Sequence, residues 1–168
     1  LGIENSFVKA VGGTAAALIG TTGSGASNVI TIENSYVGEN VYLYGDDAGA
    51  FIGAGNGSGY KNGITDCYSL ATVGGTLYTG SITGGIWSGQ KTPVTNVYTK
   101  DSKFYGHGAH TYIDCYAITE ADLGNSAFMT KFSGLSESFT FAEGEYPVLK
   151  SWVGKSDKIW SGFAVNTL

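Results

Sequence analysis

The feature that most constrains this chain is a hexapeptide that occurs twice almost unchanged. Residues 3–8 read IENSFV, and residues 32–37 read IENSYV. Looser copies follow at residues 64–69, 94–99 and 112–117, each with Asn or Asp at the third position and Tyr at the fifth. A unit that returns at a nearly fixed interval predicts a structural repeat, and it argues against a low-complexity tract.

The interval and a second recurring element describe the repeat more closely. The aromatic positions follow one another at three similar intervals and a shorter last one, and they are Phe7, Tyr36, Tyr68, Tyr98 and Tyr116. Between the hexapeptides, AALIG at residues 16–20 corresponds to GAFIG at 49–53 and more loosely to GGIWSG at 84–89. The short last interval is expected where an array of repeats ends.

The repeat predicts an all-β fold without crossover helices. Each unit contains short runs with alternating apolar residues, and turns rich in Gly, Asn and Asp separate them. Strands at a period of roughly 30 residues fit a parallel β-solenoid (β-helix) of about five coils, stacked at the ~4.8 Å spacing between strands. We therefore expect Phe7, Tyr36, Tyr68 and Tyr98 to lie in a single file.

Two positions of the hexapeptide have a physical explanation. Asn and Asp tolerate tight turns and can form a ladder of stacked side-chain hydrogen bonds. The next residue is small in every copy, as a narrow core requires. Cys67 and Cys115 share this position two coils apart, about 9–10 Å, which is beyond disulfide reach. We expect buried free thiols; a disulfide and a metal or catalytic role remain alternatives.

Taken together, the hexapeptide, the GAFIG element and the tail resemble the GLUG-motif repeats of bacterial surface and secreted proteins. The tail carries the more specific part, because GEYPVLKSW at residues 144–152 is similar to the GYPVLKW with which such arrays end. Glu145 stands where that family usually has Gly, and Ser151 is an insertion. The resemblance covers roughly residues 3–152, and it implies an extracellular or cell-surface location.

Three segments are predicted along the chain. Residues 1–117 form the β-helix coils, residues 118–152 a C-terminal cap with a short helix and a strand, and residues 153–168 an extension or the start of a next module. Thr119 and Asp122 resemble a helix capping box. Apolar side chains of the cap would cover the open end of the solenoid, and they are Phe128, Met129, Phe132, Tyr146 to Leu149, and Trp152. Since the chain begins inside a repeat, we expect other modules of the same longer protein as neighbours.

Composition argues against several classes of partner. The formal net charge is −5, and the nine basic residues are all Lys. Nucleic acids are normally held by clustered Arg and Lys, so we expect no nucleic-acid partner. No apolar run is long enough for a bilayer span, and we expect no membrane insertion.

The motifs of common enzymes and cofactor sites are missing from the sequence. It contains no HExxH, no G-x-S-x-G and no P-loop, and we expect neither catalysis nor a cofactor. His107 and His110 have no third ligand nearby, so an ordinary loop is favoured over a metal site. Asp46, Asp47 and Asn56 are irregularly placed for Ca²⁺, and a solvated turn is favoured there.

Aromatic residues are the surplus that points to a function. The number of large aromatic side chains exceeds what a narrow core can hold, so some must be exposed; they are Tyr42, Tyr44, Tyr60, Tyr78, Trp87, Tyr105 and Tyr112. Aligned exposed rings can stack on sugar rings. Among them we select Tyr42, Tyr44, Tyr78 and Trp87 as the candidate binding residues; ring stacking that only stabilises the sheet is the alternative.

The favoured function is a non-catalytic surface or extracellular module with an adhesive, glycan-binding or spacer role. A polysaccharide or a host or cell-surface glycan is the expected partner. Two alternatives stay open. The first is an accessory module of a larger secreted peptidase or carbohydrate-active enzyme, and the second is a polysaccharide lyase or hydrolase built on a β-helix.

Overall fold

A computed structural model describes residues 1–22, 29–55, 61–87, 92–108, 110–123, 135, 138–140, 142 and 145–153. The chain divides into two compact units, Leu1–Glu120 and Ala121–Leu168. The first unit is all-β with parallel sheets, as the sequence predicts.

The first unit contains short strands that the Gly, Asn and Asp turns separate. In chain order they are β1 (Gly2–Ile3), β2 (Ser6–Lys9), β3 (Thr14–Ala16), β4 (Ile19–Thr22), β5 (Val29–Glu33), β6 (Tyr36–Val37), β7 (Val41–Gly49), β8 (Ile52–Gly55), β9 (Lys61–Ser69), β10 (Thr72–Gly80), β11 (Thr83–Ile86), β12 (Thr92–Thr99), β13 (Tyr105–His107), β14 (His110–Ile113) and β15 (Tyr116–Ala117).

These strands form three parallel sheets. Sheet A contains β1, β5, β6, β9, β12, β14 and β15; sheet B has the order β10-β7-β2, with β3 also on β7; sheet C has the order β13-β11-β8-β4. The chain runs through sheets A, B and C in that order three times, and we call each such run, like the shorter one that follows, a pass. It then goes from β12 of sheet A directly to β13 of sheet C, and β14 and β15 return to sheet A.

The Asn or Asp of each hexapeptide makes a sharp local turn. All five residues have positive φ, between 48° and 55°, and they are Asn5, Asn34, Asp66, Asn96 and Asp114. This left-handed conformation is one that Asn and Asp adopt more readily than other side chains. Asn96 also donates a hydrogen bond of 2.6 Å from Nδ2 to Asp66 Oδ1, so the expected side-chain ladder is present for this pair.

Four of the five hexapeptide aromatic residues are in register. Tyr36 pairs with Tyr68, Tyr68 with Tyr98, and Tyr98 with Tyr116. The rings of Tyr36 and Tyr68 are stacked with their centroids 5.1 Å apart. The first three are buried, and Tyr116 is half-buried. We call these four residues the tyrosine column.

The prediction for Phe7 is wrong. Phe7 pairs with Tyr42 in sheet B and is 70% exposed, while Gly2 pairs with Tyr36 at the foot of the tyrosine column. The two IENS segments share the left-handed Asn, but Asn5 lies at the turn from sheet A to sheet B, whereas Asn34 lies within sheet A between β5 and β6. The same local conformation therefore occurs once at a turn between two sheets and once within a single sheet.

The third copy of the GAFIG element is Gly80–Gly84, and not residues 84–89 as the sequence suggested. Ala16 pairs with Gly49 and Gly49 with Gly80. Close backbone approach requires glycine at positions 49 and 84, whereas the first copy has Ala16 opposite Gly49. A Cβ on Gly84 would lie 2.2 Å from Gly53 O, and one on Gly49 would lie 2.3 Å from Ile52 O.

Aliphatic and aromatic side chains from all three sheets form one buried core. Ile32, Ile64 and Val94 pair successively in sheet A, Leu43 lies in sheet B, and Phe51 lies at the turn from β7 to β8. Each of these side chains is at most 6% exposed.

Both cysteines are free, as expected. Cys67 is fully buried and Cys115 is half-buried. Val97 pairs with Cys67, and β15 lies on the other side of β12, so the cysteines stand two strands apart. Burial raises the pKa of the Cys67 thiol to about 12, and it also raises the pKa of Cys115.

The second unit is described only in part. The helix α1 (Glu120–Leu123) begins directly after Thr119, where the capping box predicts a start. Strands β16 (Phe139–Thr140) and β17 (Val148–Leu149) pair antiparallel, and a 3₁₀ helix covers Lys150–Trp152. The predicted cap residues Phe128, Met129 and Phe132 lie outside the described residues, so capping of the repeats stays a prediction. Within the described ranges, no helix is long and apolar enough to cross a membrane.

Candidate functional site

The four predicted binding residues fall into two groups. Tyr42 and Tyr44 lie on β7 of sheet B, where alternate side chains are buried and exposed. Tyr78 lies on β10, and Trp87 directly follows β11 of sheet C. The sequence predicted a single aromatic face, but the structure arranges these residues as two separate clusters.

The first group lies on the outer surface of sheet B. Tyr42 is 48% exposed and pairs with Phe7, and Tyr44 is 43% exposed and pairs with Lys9. The Lys9 ammonium lies 5.9 Å from the centroid of the Tyr44 ring, a cation–π distance. This surface offers flat apolar rings beside one positive charge.

The second group is a compact cluster of four side chains, Asp47, Tyr78, Trp87 and His107, which we call the Trp87 cluster. The Tyr78 and Trp87 rings meet edge to face with their centroids 4.7 Å apart. His107 packs against both rings, with centroids 4.8 Å from Tyr78 and 4.6 Å from Trp87. The Trp87 side chain keeps 46% of its surface exposed. The cluster therefore holds a large ring rigidly while leaving it open to solvent.

Strand register assembles this cluster from three passes of the chain. Tyr78 pairs with Asp47, and His107 pairs with Gly85, which lies just before Ile86 and Trp87. A bulge in β10 between Gly75 and Tyr78 adds one residue and determines which residue faces Asp47. The Trp87 backbone N–H donates to Gly55 O at 2.8 Å, which fixes the indole position at the end of sheet C.

Gly85 leaves room for the side chains of the Trp87 cluster because it has no Cβ. A Cβ at this position would lie 3.1 Å from Asp47 Oδ1 and 3.2 Å from Trp87 Nε1. The Asp47 carboxylate and the indole nitrogen of Trp87 therefore both lie close to Gly85. A larger residue would push one of them away.

Asp47 gives the cluster a polar component. Its Oδ1 atom is buried and has no hydrogen-bond partner among the described residues. Burial raises the pKa of the Asp47 carboxyl, and the neighbouring Asp46 charge raises it further, while His107 acts in the opposite direction. A buried carboxylate oxygen without a partner is costly, and a ligand hydroxyl can reach Asp47 Oδ1 only if the side chains that cover it move.

The cluster has the parts of a sugar-binding site. Exposed aromatic rings pack on the C–H faces of sugar rings, and a fixed carboxylate and an imidazole can exchange hydrogen bonds with sugar hydroxyls. Sequence reasoning selected Tyr78 and Trp87, but it treated Asp47 as part of a turn and His107 as part of a loop. The sequence signal that pointed to Asp47 and His107 was the repeat, which aligns β7 with β10 and β11 with β13.

The other aromatic residues have different surroundings. Tyr105 and Tyr112 stack with their centroids 5.7 Å apart, and Phe104 packs on Tyr112 at 5.4 Å. Burial raises the pKa of the Tyr112 hydroxyl. Tyr60 lies outside the described residues, as does Asn56, for which a solvated turn was favoured over a calcium site. Within the described part of the chain, no three His, Cys, Asp or Glu side chains come close enough to hold a metal ion.

A pocket of about 440 Å³ with a mixed polar and apolar lining lies elsewhere in the first unit, at the two ends of β10. Thr72, Thr79 and Ser81 line it together with the segment Lys100–Lys103. Lys103 Nζ donates to Thr79 Oγ1 at 3.0 Å, and Asp101 Oδ1 accepts from the Lys103 backbone N–H. The Asp101 carboxylate, which lines this pocket, is thus occupied in shaping its own loop.

Comparison of the chain with protein-family models, with curated proteins and with solved structures gives no match. The resemblance to the GLUG-motif repeats stays a prediction.

Proposed function

We propose that this chain is a non-catalytic glycan-binding module of a longer extracellular or cell-surface protein, built as a parallel β-solenoid. The ligand would be a polysaccharide or a cell-surface glycan, and its sugar rings would pack on the Trp87 cluster. The fold provides a rigid scaffold, and the exposed rings provide the binding surface.

Strand order and register support the solenoid. Sheets A, B and C are visited in a constant order, and strands of one pass pair in parallel with the corresponding strands of the next pass. Side chains of all three sheets share one core. Three sheets wound around a common core are what a β-helix requires.

The observation that carries the binding proposal is the Trp87 ring, which is half-exposed yet packed against both Tyr78 and His107. It lies beside the buried Asp47 Oδ1, which no described residue satisfies. Packing of an exposed Trp on other aromatic rings keeps a large apolar surface ordered, so little side-chain entropy is lost when a ligand binds. Asp47 adds the directional hydrogen bond that distinguishes a sugar from a purely apolar ligand.

The experiment is a glycan array probed with the whole protein and with four single variants. Trp87→Ala and Asp47→Asn remove the ring and the charged acceptor of the cluster. Tyr42→Ala and Tyr44→Ala are matched controls on the outer surface of sheet B. We expect the wild type to bind a defined set of glycans, and the two cluster variants to lose at least about fivefold in affinity, since a contact of this kind in a complex is worth ~1–3 kcal/mol.

Two outcomes would overturn the assignment. Absence of binding to every glycan would overturn the glycan-binding role and make a spacer role the default. Loss of binding in Tyr42→Ala or Tyr44→Ala, with Trp87→Ala unaffected, would move the site to sheet B. Circular dichroism of each variant separates lost binding from lost folding.

A further inference from the structure

The Asp47 carboxylate is covered on its Oδ1 side by the rest of the Trp87 cluster. This oxygen is buried, and no described residue gives it a hydrogen bond. Tyr78 pairs directly with Asp47. The Oδ1 atom lies close to Gly85, as does Trp87 Nε1, and His107 pairs with Gly85 from the neighbouring strand β13. A ligand therefore gains this oxygen only when at least one of the three rings moves.

His107 is the ring that moves at the smallest loss of packing. Its side chain is exposed, whereas Tyr78 is half-buried, and its strand β13 stands at the end of sheet C. Imidazole is also smaller and more polar than phenol or indole, so less apolar surface is exposed when it leaves. The edge-to-face contact between Tyr78 and Trp87 does not involve His107. The indole therefore keeps one of its two ring contacts when the imidazole moves away.

His107 is also the ring whose attraction to the cluster depends on pH. Histidine changes its charge between pH 5 and 8, whereas Tyr and Trp stay neutral there. A cation within about 6 Å of an aromatic centroid is attracted to the ring face. The imidazole lies 4.6 Å from the Trp87 ring and 4.8 Å from the Tyr78 ring. Burial, the largest effect, raises the pKa of the Asp47 carboxyl, and the His107 charge lowers it, so the imidazolium also attracts the carboxylate.

The charges on the surrounding strands favour a positive imidazole. On β7, the Asp46 charge acts on the cluster, since it raises the pKa of Asp47 further. On β10, Lys103 Nζ is engaged by Thr79 Oγ1 at 3.0 Å. β11 carries no ionisable side chain, and on β13 itself Tyr105 is neutral near pH 7. Two carboxylates thus oppose one engaged ammonium group around His107.

We propose that His107 is a pH-dependent gate over the Asp47 carboxylate, an inference that rests on the proposed glycan-binding role of the Trp87 cluster. In acid, the imidazolium is held by both rings and by the carboxylate, and the cluster is closed as described above. Near neutral pH, packing alone holds the imidazole, while the ionised Asp47 lacks a partner, so the open arrangement is favoured. A ligand hydroxyl then reaches Asp47 while a sugar ring packs on Trp87. The glycan is bound at neutral pH and released in acid.

The titration of Asp47 acts in the same direction as that of His107. Because the pKa of Asp47 is raised, its carboxyl takes up a proton at a higher pH than an ordinary Asp side chain. A neutral carboxyl tolerates burial better than a charged one, so acid also favours the closed cluster through Asp47. Variants of the two residues separate these contributions.

The experiment measures the affinity of the whole protein for its best glycan from the array at pH 8 and at pH 5, the limits between which histidine changes its charge. We expect the wild type to bind at least fivefold more weakly at pH 5. His107→Ala and His107→Gln should bind with nearly the same affinity at both pH values, because neither side chain can close the cluster as a cation. His110→Ala, which removes the other histidine, is the matched control and should keep the wild-type ratio. The ratio of the two affinities is the readout, since loss of a merely structural contact would lower both.

A measurement on the free protein keeps this inference separate from the glycan-binding proposal. Acrylamide quenching of Trp87 fluorescence, obtained as the difference between the wild type and Trp87→Phe, should increase from pH 5 to pH 8. In His107→Gln it should be high at both pH values. The gate is refuted if Trp87 quenching does not change with pH, if the His107 variants keep the wild-type affinity ratio, or if the wild type binds more tightly in acid. If no glycan binds at either pH, the proposed function fails, and the quenching data alone decide whether His107 is a gate.

Discussion

The tyrosine column and the Trp87 cluster are both built from aromatic residues that the repeat brings into register, yet their environments are opposite. In the tyrosine column, Tyr36, Tyr68 and Tyr98 are at most 4% exposed. In the Trp87 cluster, Trp87 is 46% exposed and stands beside a carboxylate oxygen that no described residue satisfies. Equivalent residues of successive passes form the column, whereas unlike residues from different sheets form the cluster.

Under the proposed function, this difference separates the residues that stabilise the fold from those that bind the ligand. Column residues satisfy their own polar groups: the Tyr98 hydroxyl donates to Asn96 Oδ1 at 2.7 Å, and that of Tyr36 donates to Glu4 Oε1. The Trp87 cluster leaves Asp47 Oδ1 unsatisfied within the described part of the chain. Sites that bind ligands are often less stable than the rest of the fold, because groups meant for the ligand are left unpaired in the free protein. Substitutions in the tyrosine column should therefore lower the free energy of unfolding, whereas substitutions in the Trp87 cluster should mainly lower the affinity for the ligand.

The largest effect is expected in the column, from Tyr98→Ala. Tyr98 is the largest fully buried side chain of the described residues, and removing its ring should lower the free energy of unfolding by about 3–5 kcal/mol. Urea unfolding followed by circular dichroism measures this. Tyr98→Phe keeps the ring and removes the hydroxyl that donates to Asn96, so it should cost about 1 kcal/mol. Equal losses in both variants would mean that the hydroxyl, and not ring packing, dominates.

The next largest loss of stability is expected from a substitution of Gly84, which directly precedes Gly85 beside the Trp87 cluster. Gly84→Ala places a Cβ 2.2 Å from Gly53 O, and it should cost about 1–3 kcal/mol of unfolding free energy. Gly20 occupies the equivalent position on β4, and a Cβ there meets nothing within 4 Å. Gly20→Ala is therefore the matched control and should leave stability nearly unchanged. A similar loss in both variants would refute the argument from close backbone approach.

Sequence reasoning predicted the parts of the fold that depend on local chemistry. The tight turns at Asn and Asp, the single file of Tyr36, Tyr68 and Tyr98, and the free cysteines were all predicted from the hexapeptide. It misplaced Phe7, because pairing depends on the number of residues between turns: Ile3 and Ser6 pair with Val37 and Val41, so the first pass has one residue fewer there. It also missed Asp47 and His107, because the repeat aligns their strands but does not show the bulge in β10 or the direct step from β12 to β13.

A smaller effect is expected from pH at Asp47. Because burial and Asp46 raise the pKa of Asp47 in the folded state, the native protein binds this proton more tightly than the unfolded chain does. The free energy of unfolding should therefore fall as the pH rises from the ordinary pKa of an Asp side chain through the raised pKa of Asp47. Asp47→Asn removes this loss, so the variant should be more stable than the wild type at neutral pH, with the difference shrinking in acid. Urea unfolding of the wild type and of Asp47→Asn at neutral and at acidic pH measures this difference in stability. A difference that grows on acidification would contradict a raised pKa for Asp47.

Asp46→Asn provides the control for this pH effect. It removes the neighbouring charge but leaves the Asp47 carboxyl in place, so its stabilisation at neutral pH should be in the same direction and smaller. Asp46 also accepts a hydrogen bond from Thr76 Oγ1, and an Asn carbonyl at this position can still accept it. A larger effect from Asp46→Asn than from Asp47→Asn would assign the pH dependence to charge repulsion alone.

The smallest effect on stability is expected from Trp87→Ala, the variant with the largest expected effect on glycan binding. About half of the Trp87 surface is already in contact with water, and its packing on Tyr78 and His107 should be worth about 1 kcal/mol. Urea unfolding should therefore place this variant close to the wild type and far above Tyr98→Ala. A loss as large as that of Tyr98→Ala would show that Trp87 is part of the core packing. The two aromatic regions would then share one structural role, and the assignment of the cluster to sugar binding would lose its physical basis.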